Sequence, residues 1–282
     1  MSSDNPILVL DHPRSRLDAS LAGRQILQAE LPLADGPITV CAAVADEPAR
    51  LSQLVPLARA ASDDATRTAC DRSRREGRTV SCLKGCSPCC HYLVPVSGPE
   101  AFALLEDIQD LDAGTRDHLV GSFVRVAQTV LQSELPSLEA APGETTAGLL
   151  GQWSARINQP CPLLHGAPEA RRCRLYSRRP LACREHIVTT KPELCGGFQP
   201  GAGRVRPRGV SMVEALSQLA AELEDTDVEA ILLPLAPAWA LANLDRGQRT
   251  WPAPYLVRRL LAIAREQAQA GTAQASPIRA AA

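Results

Sequence analysis

Ten cysteines occur in the 282 residues, and eight of them fall between positions 82 and 195. Four are bunched in Cys82-Leu-Lys-Gly-Cys86-Ser-Pro-Cys89-Cys90, and Cys161, Cys173, Cys183 and Cys195 follow singly. Gly85, Ser87 and Pro88 are turn formers, which suits thiolates that must converge. Thiolate sulfur binds zinc, iron and iron–sulfur centres. Only Cys86 and Cys89 form the C-x2-C pair usual in structural zinc sites, whereas three close cysteines followed by remote ones is nearer the habit of iron–sulfur ligation. Adjacent side chains such as those of Cys89 and Cys90 tend to point apart, so eight thiols suggest two centres, or one bridged centre, more than a single site. His91 and His186 are close enough in sequence to act as substitute ligands.

Other chemistries compete for the same residues. The chain starts without a basic region or an apolar run long enough for export, so a reducing cytoplasm is expected, which disfavours a disulfide framework. Buried thiols acting as small hydrophobes are the bland alternative for the cluster. For the isolated Cys41 and Cys70 that bland reading is the preferred one. The spacing Cys82-x3-Cys86-x2-Cys89 also equals that of radical-SAM enzymes, but the sequence after Cys90 reads as helical, without the strand–helix alternation that fold needs. A thioredoxin-like reading of Cys86-Ser-Pro-Cys89 lacks its βαβ context. A Cys–His nucleophile drawn from Cys89 or Cys90 with His91, His165 or His186 competes poorly with metal ligation of the same thiols.

Between 171 and 184 the chain carries six arginines and no acid. Two four-thiolate centres would keep roughly four negative charges, and nearby guanidinium groups would offset them and lower the thiol pKa values. Arg178, Arg179 and Arg184 are the candidates for that role. An RNA- or phosphate-binding patch is the competitor. It is weakened by the whole-chain balance of 30 basic and 31 acidic side chains, a net charge of −1, so a nucleic-acid partner is not expected.

The elements that must position these residues are mostly helical. Aromatics make up only 3% of the chain and apolar residues 45%, so the core is built from Leu, Val and Ala. Residues 25–46 form an expected hairpin about Asp35-Gly36. Helical spacing begins at Pro48, with Leu51, Leu54, Val55, Ala58 and Ala61 on one face, and ends at Gly77. Ser97-Gly-Pro-Glu100 is a capping box opening a helix with Ala101, Leu104, Leu105 and Ile108 inward. A further helix buries Leu119, Phe123, Ala127, Val130 and Leu131, and another spans 144–157. Residues 159–209 lose periodicity and need an ordering agent other than an apolar core. Met212, Leu216, Leu219 and Leu223 then mark an amphipathic helix, followed by helices near 233–245 and 254–268. No segment reads as a membrane span.

The run from Cys82 to Cys90, then Cys161-Pro-Leu-Leu, then Cys173-x2-Tyr176-x2-Arg179-Pro180-x2-Cys183-Arg184, then Cys195, resembles the bacterial CxxCxxCC (YkgJ-type) cysteine-cluster family. The departure is three residues, not two, in the first gap. The resemblance covers about 80–198 and implies a zinc- or iron-chelating domain with eight cysteine ligands. It also brings in flagellin lysine methylases as an enzymatic cousin with a related cluster.

The expectation is a mainly α fold with a small N-terminal β element, its helices framing a loop-rich cysteine cluster ordered by metal. Its segments are a hairpin and helix over 1–78, the cysteine cluster over 79–200, a helical region over 201–270 and a disordered tail over 271–282. The metal ligands are Cys82, Cys86, Cys89, Cys90, Cys161, Cys173, Cys183 and Cys195. The cofactor is zinc or iron, with a [4Fe–4S] centre as one form. The partners are a metal ion and a possible protein, with neither a membrane nor nucleic acid. The function is metal chelation in a bacterial cytoplasm, with an iron–sulfur enzyme related to protein lysine methylases as the alternative. Whether the chain is an enzyme stays open.

Overall fold

The computed structural model describes residues 5–11, 21–134, 146–167, 170–196, 203–205 and 207–275. The chain is 55% helical with few, short strands, a mainly α fold with a small β element at the N-terminus. Strand β1 (Ile7–Val9), β2 (Arg24–Leu31) and β3 (Ile38–Ala45) form an antiparallel sheet in the order β1-β3-β2. The expected hairpin is β2–β3, with Leu31 opposite Ile38. Its turn needs Gly36, whose φ of +126° suits only glycine. Asp35 beside it is buried and would be costly alone. It pairs with Arg72 and accepts a hydrogen bond from the Arg208 backbone N–H at 3.1 Å.

Helix α1 (Val55–Arg75) starts later than the spacing suggests. Pro48 and Ala49 are extended and pair with Trp251 and Pro252. Arg50 keeps extended dihedrals, and Leu51–Leu54 make a single 3₁₀ turn. The side-chain face nevertheless points inward as expected, because Leu51, Leu54, Val55, Ala58 and Ala61 are all buried. The helix stops at Gly77, whose φ is +76°, with the Arg78 N–H reaching back to the Ser73 carbonyl at 2.9 Å.

Helix α2 (Gly98–Gln109) opens with the expected capping box. Helix α3 (Ala113–Gln132) buries Leu119, Phe123, Val126 and Val130. This corrects the expected face, since Leu131 is 71% exposed. The 3.6-residue period puts Val126, not Leu131, in line with Phe123 and Val130. Helix α4 (Thr146–Ile157) follows, and its expected start at Glu144 lies outside the described residues. Trp153 on α4 packs against Val126 and Val130 and donates its indole N–H to the Glu134 carbonyl at 3.0 Å.

After the short helix α5 (Leu181–Glu185) the chain forms α6 (Met212–Glu224). The helix expected near 233–245 is broken into a 3₁₀ turn, α7 (Ala236–Ala242) and α8 (Leu244–Gly247). Asn243, at φ −121° and ψ 30°, interrupts the helical dihedrals between the last two. The final helix α9 (Ala253–Ala275) runs on into the stretch expected to be disordered. Residues 276–282 of that expected tail lie outside the described residues.

Two main cores result. The first joins the β-sheet, α1, α6 and α9 through side chains such as Ile7, Leu57, Leu216 and Leu260. The second joins α2, α3 and α7 to the loop residues Leu163 and Leu175, and Cys161 and Cys173 pack against it. Burying each large aliphatic side chain supplies roughly 1.5–3 kcal/mol, and α6 and α9 contribute several each. The C-terminal helices therefore complete the core. Among the described residues, no helix is long and apolar enough to cross a membrane.

Candidate metal centre

The stretch 78–92 leaves the end of α1 and passes through two tight turns. The Cys86 N–H bonds the Leu83 carbonyl at 3.0 Å, and Gly85 has a φ of +97°. Glycine at the third position of such a turn follows the type II rule. Pro88–His91 then form one 3₁₀ turn, which carries Cys89 and Cys90. The Cys161 N–H donates to the Cys90 carbonyl at 2.7 Å, so a residue 71 positions away is held against this turn. A two-rung hairpin places Leu164 opposite Cys173. Cys183 sits on α5, and Cys195 lies in the 3₁₀ turn Pro192–Gly196.

These segments bring the thiols into electrostatic range of one another, and by mutual influence they fall into two overlapping groups, or lobes. Cys86 is influenced by Cys89, Cys82 and Cys195. Cys161 is influenced by Cys183, Cys173 and Cys89, and Cys183 by Cys89 and Cys173. Cys89 belongs to both lobes, and its side chain bonds that of Cys90. Cys195 is buried and the other seven are half-buried. Burial raises the thiol pKa of Cys82, Cys86, Cys161 and Cys173, and pushes that of Cys183 up to about 12. Cys89 is raised first by its bond with Cys90 and then by burial. The neighbouring thiols add to the rise at most of these positions, because one thiolate disfavours the next.

Arg179 is the opposing charge. It lowers the pKa of Cys82, Cys89, Cys173 and Cys183, reaching both lobes. Its guanidinium stacks 4.5 Å from the Tyr176 ring centroid, while Lys84 of the first loop lies 5.6 Å from the same ring. Its Nε–H is buried without a hydrogen-bond partner. The expectation that three arginines share this role is corrected for two of them. Arg178 is engaged by Asp107 at 2.9 Å. Arg184 is engaged by Asp63 and by the carbonyls of Ser177 and Arg179. Both fix the backbone that bears the cysteines.

The capping box does more than start α2. One Glu100 carboxylate oxygen accepts the Ser97 N–H at 3.1 Å, and the other accepts the Leu181 N–H at 2.8 Å, at the first turn of α5. The box thus ties the start of α2 to the short helix carrying Cys183. Cys70, read from sequence as a packing residue, packs with Ala69 and Val205 but also feels the charge of Cys82. Nothing in its spacing marks it, since it belongs to α1. Cys41 lies buried in β3. His91 faces the Pro88 carbonyl at 3.4 Å, and His186 meets the Tyr92 ring edge-on.

Glu185, two residues after Cys183, is held by the Met212 N–H at 2.9 Å and by the hydroxyls of Ser62 and Ser211. Burial still outweighs these bonds and pushes its carboxyl up to about 7. A folded-state pKa above the unfolded value of about 4.3 means folding favours the protonated form. That contribution is complete below about pH 4 and is lost as pH rises towards 7. Glu185→Gln is therefore expected to match wild type near pH 4 and to exceed it at pH 8 by on the order of 2–3 kcal/mol. Parallel stability curves for the two proteins in urea denaturation across this range would contradict it.

Among the described residues, no three His, Cys, Asp or Glu side chains converge on one metal-ready point. The donor set fits a thiophilic metal by residue type: eight thiols between 82 and 195, with Arg179, whose Nε–H is buried and unpartnered, acting electrostatically on four of them. Residues 81–196 match the CxxCxxCC family model, described as "Putative zinc- or iron-chelating domain". The match spans all eight clustered cysteines and leaves the β-sheet, α1 and α6–α9 outside it. No curated protein and no solved structure matches the chain.

Proposed function

We propose that the segment matching this zinc- or iron-chelating family holds its metal through the thiolates of Cys82, Cys86, Cys89, Cys90, Cys161, Cys173, Cys183 and Cys195. The gathering of these thiols from separate segments into two lobes sharing Cys89 carries the reading. An arrangement of this kind suits two centres or one bridged centre, and an iron–sulfur centre is the form favoured by the ligand spacing. A reducing compartment, the cytoplasm of a bacterium, would keep such thiols available.

Each residue then has a stated task. The cysteines lose their protons on ligation, so proton release accompanies binding. Arg179 offsets the negative charge that remains on the thiolates and offers its Nε–H to a sulfur. Glu100 and Arg184 hold the backbone on either side of Cys183. The turns about Gly85 and Pro88 keep Cys82, Cys86 and Cys89 within electrostatic range of one another. When bound, the metal supplies a cross-link between loops that lack a core of their own, and iron would add redox capacity.

The test is anaerobic purification followed by elemental analysis and a visible absorption spectrum on one sample. Zinc or iron in stoichiometric amount is expected. Iron with matching acid-labile sulfide and a broad visible band assigns an iron–sulfur centre and directs attention to redox or methyl-transfer assays. Colourless zinc assigns a folding element in a binding or adaptor module. Protein that carries neither metal, and takes up neither on reconstitution, overturns the reading.

A further inference from the structure

A cleft of about 730 Å³ lies between α3 and the loop 159–166, with Cys161 in its wall. Its volume falls within the range of small-molecule sites. Its lining is unusual in sign. Arg125 and His118 project from α3, and Arg174 and His165 come from the hairpin beside Cys173, with Gln132 and Gln159 between them. Among the described residues, no Asp or Glu lines it. Every charged or polar side chain just named can donate a hydrogen bond.

The two arginines are not claimed by a carboxylate. Among the described residues neither Arg125 nor Arg174 makes an ion pair. Arg125 donates only to the Ser122 hydroxyl, at 3.0 Å. By contrast Arg59, Arg72, Arg178, Arg184, Arg246 and Arg259 all meet carboxylates. Asp112 caps α3 and feels the field of Arg174, but it lies outside the cleft. The surplus positive field is felt locally: after burial, Arg174 and Arg172 hold the His165 imidazole below its usual range.

The backbone keeps these groups in place. The Arg174 N–H donates to the Leu163 carbonyl at 2.8 Å, which extends the Leu164–Cys173 pairing by one rung. Gly166 turns the hairpin with a φ of +103°, and a Cβ there would come within 2.8 Å of the Ala170 carbonyl oxygen. Leu163 and Leu175 on either side are buried in the second core. The cationic wall is thus mounted on packed structure.

We infer that this cleft binds a small molecule through an oxyanion group, phosphate or carboxylate, seated between Arg125 and Arg174. Guanidinium forks match the geometry of both groups. A ligand held there ends beside Cys161, so the cleft would bring an anionic small molecule to the edge of the thiol cluster. The inference stands on the cleft alone and does not depend on the metal reading.

Isothermal titration of the full chain as purified with inorganic phosphate, and separately with succinate, at constant ionic strength tests it. Saturable binding of at least one probe is expected, and which one binds identifies the source of the oxyanion. The double variant Arg125→Ala/Arg174→Ala is expected to weaken binding at least ten-fold. The equally charge-depleted Arg67→Ala/Arg265→Ala protein should bind as wild type does. Arg125→Gln/Arg174→Gln provides a milder variant if the alanine protein melts early. Metal content measured on the same samples separates loss of anion binding from loss of the centre. Absence of saturation with either probe overturns the inference, and so does binding by both cleft variants within two-fold of wild type.

Discussion

Protein carrying Cys86→Ser together with Cys89→Ser is expected to retain less than a tenth of the wild-type metal and to melt at least about 10 °C lower. Cys89 is the thiol shared by both lobes, and Cys86 is coupled to Cys82, Cys89 and Cys195. Removing the pair therefore affects both lobes. Structural metal sites contribute several kcal/mol to folding, and each kcal/mol moves the melting point of a chain of this size by roughly 2–4 °C. The loss falls on 81–196, because the core joining the β-sheet, α1, α6 and α9 has its own buried apolar side chains. Elemental analysis and a thermal melt on one preparation check it, with Cys41→Ala as the control that keeps its metal. Full metal content with an unchanged melt would end the metal reading. The same chemistry sets the pH response. Thiols raised above their ordinary pKa must each release a proton on ligation, so metal affinity falls as pH falls.

The second large effect is expected at Arg184. Its side chain is only 6% exposed. It binds Asp63 on α1 and the carbonyls of Ser177 and Arg179. Arg184→Ala leaves the Ser177 and Arg179 carbonyls without this donor and releases Asp63, at a cost of about 1–3 kcal/mol. Asp63 is 44% exposed and Ser177 lies at the surface, so both can be solvated, and the cost falls mainly on the Arg179 carbonyl and on the packing lost with the buried Arg184 side chain. Arg179→Gln makes the contrast, because Arg179 faces the thiols, not a carboxylate. That variant should unfold in denaturant near the wild-type midpoint yet lose metal to a competing chelator about ten-fold faster. If both variants lost stability equally and released metal alike, the division of labour between these arginines would be wrong.

Much of the frame was legible because it follows from local rules. The Asp35-Gly36 turn, the stop at Gly77, the Ser97–Glu100 box and the Met212–Leu219 face each depend on residues within a few positions of one another. Misreadings arose where partners are distant. Pro48 and Ala49 are extended because Trp251 and Pro252 pair with them. Val126 and Val130 of α3 are covered by Trp153, which comes from α4. Neither partner can be inferred from a window of fifteen residues.

At the site, residue type and spacing named eight thiols and a run of arginines but could not distribute the charge among them. Arg178, Arg179 and Arg184 are near neighbours in sequence, yet Asp107 and Asp63 claim two of them and leave one facing sulfur. The carboxylates that decide this lie on other helices. The cleft between Arg125 and Arg174 has the same origin, since one arginine is on a helix and the other on a hairpin nearly fifty residues later.

The sequence by itself determined the helical class, the hairpin and the presence of a clustered thiol set, because periodicity, turn chemistry and ligand spacing are short-range properties. Tertiary structure alone decided which arginine acts on the thiols, that Cys70 packs against Val205, and that Glu100 joins α2 to the helix bearing Cys183. Those outcomes depend on which distant groups share a buried volume, where an unpaired charge or amide is too costly to leave unmatched.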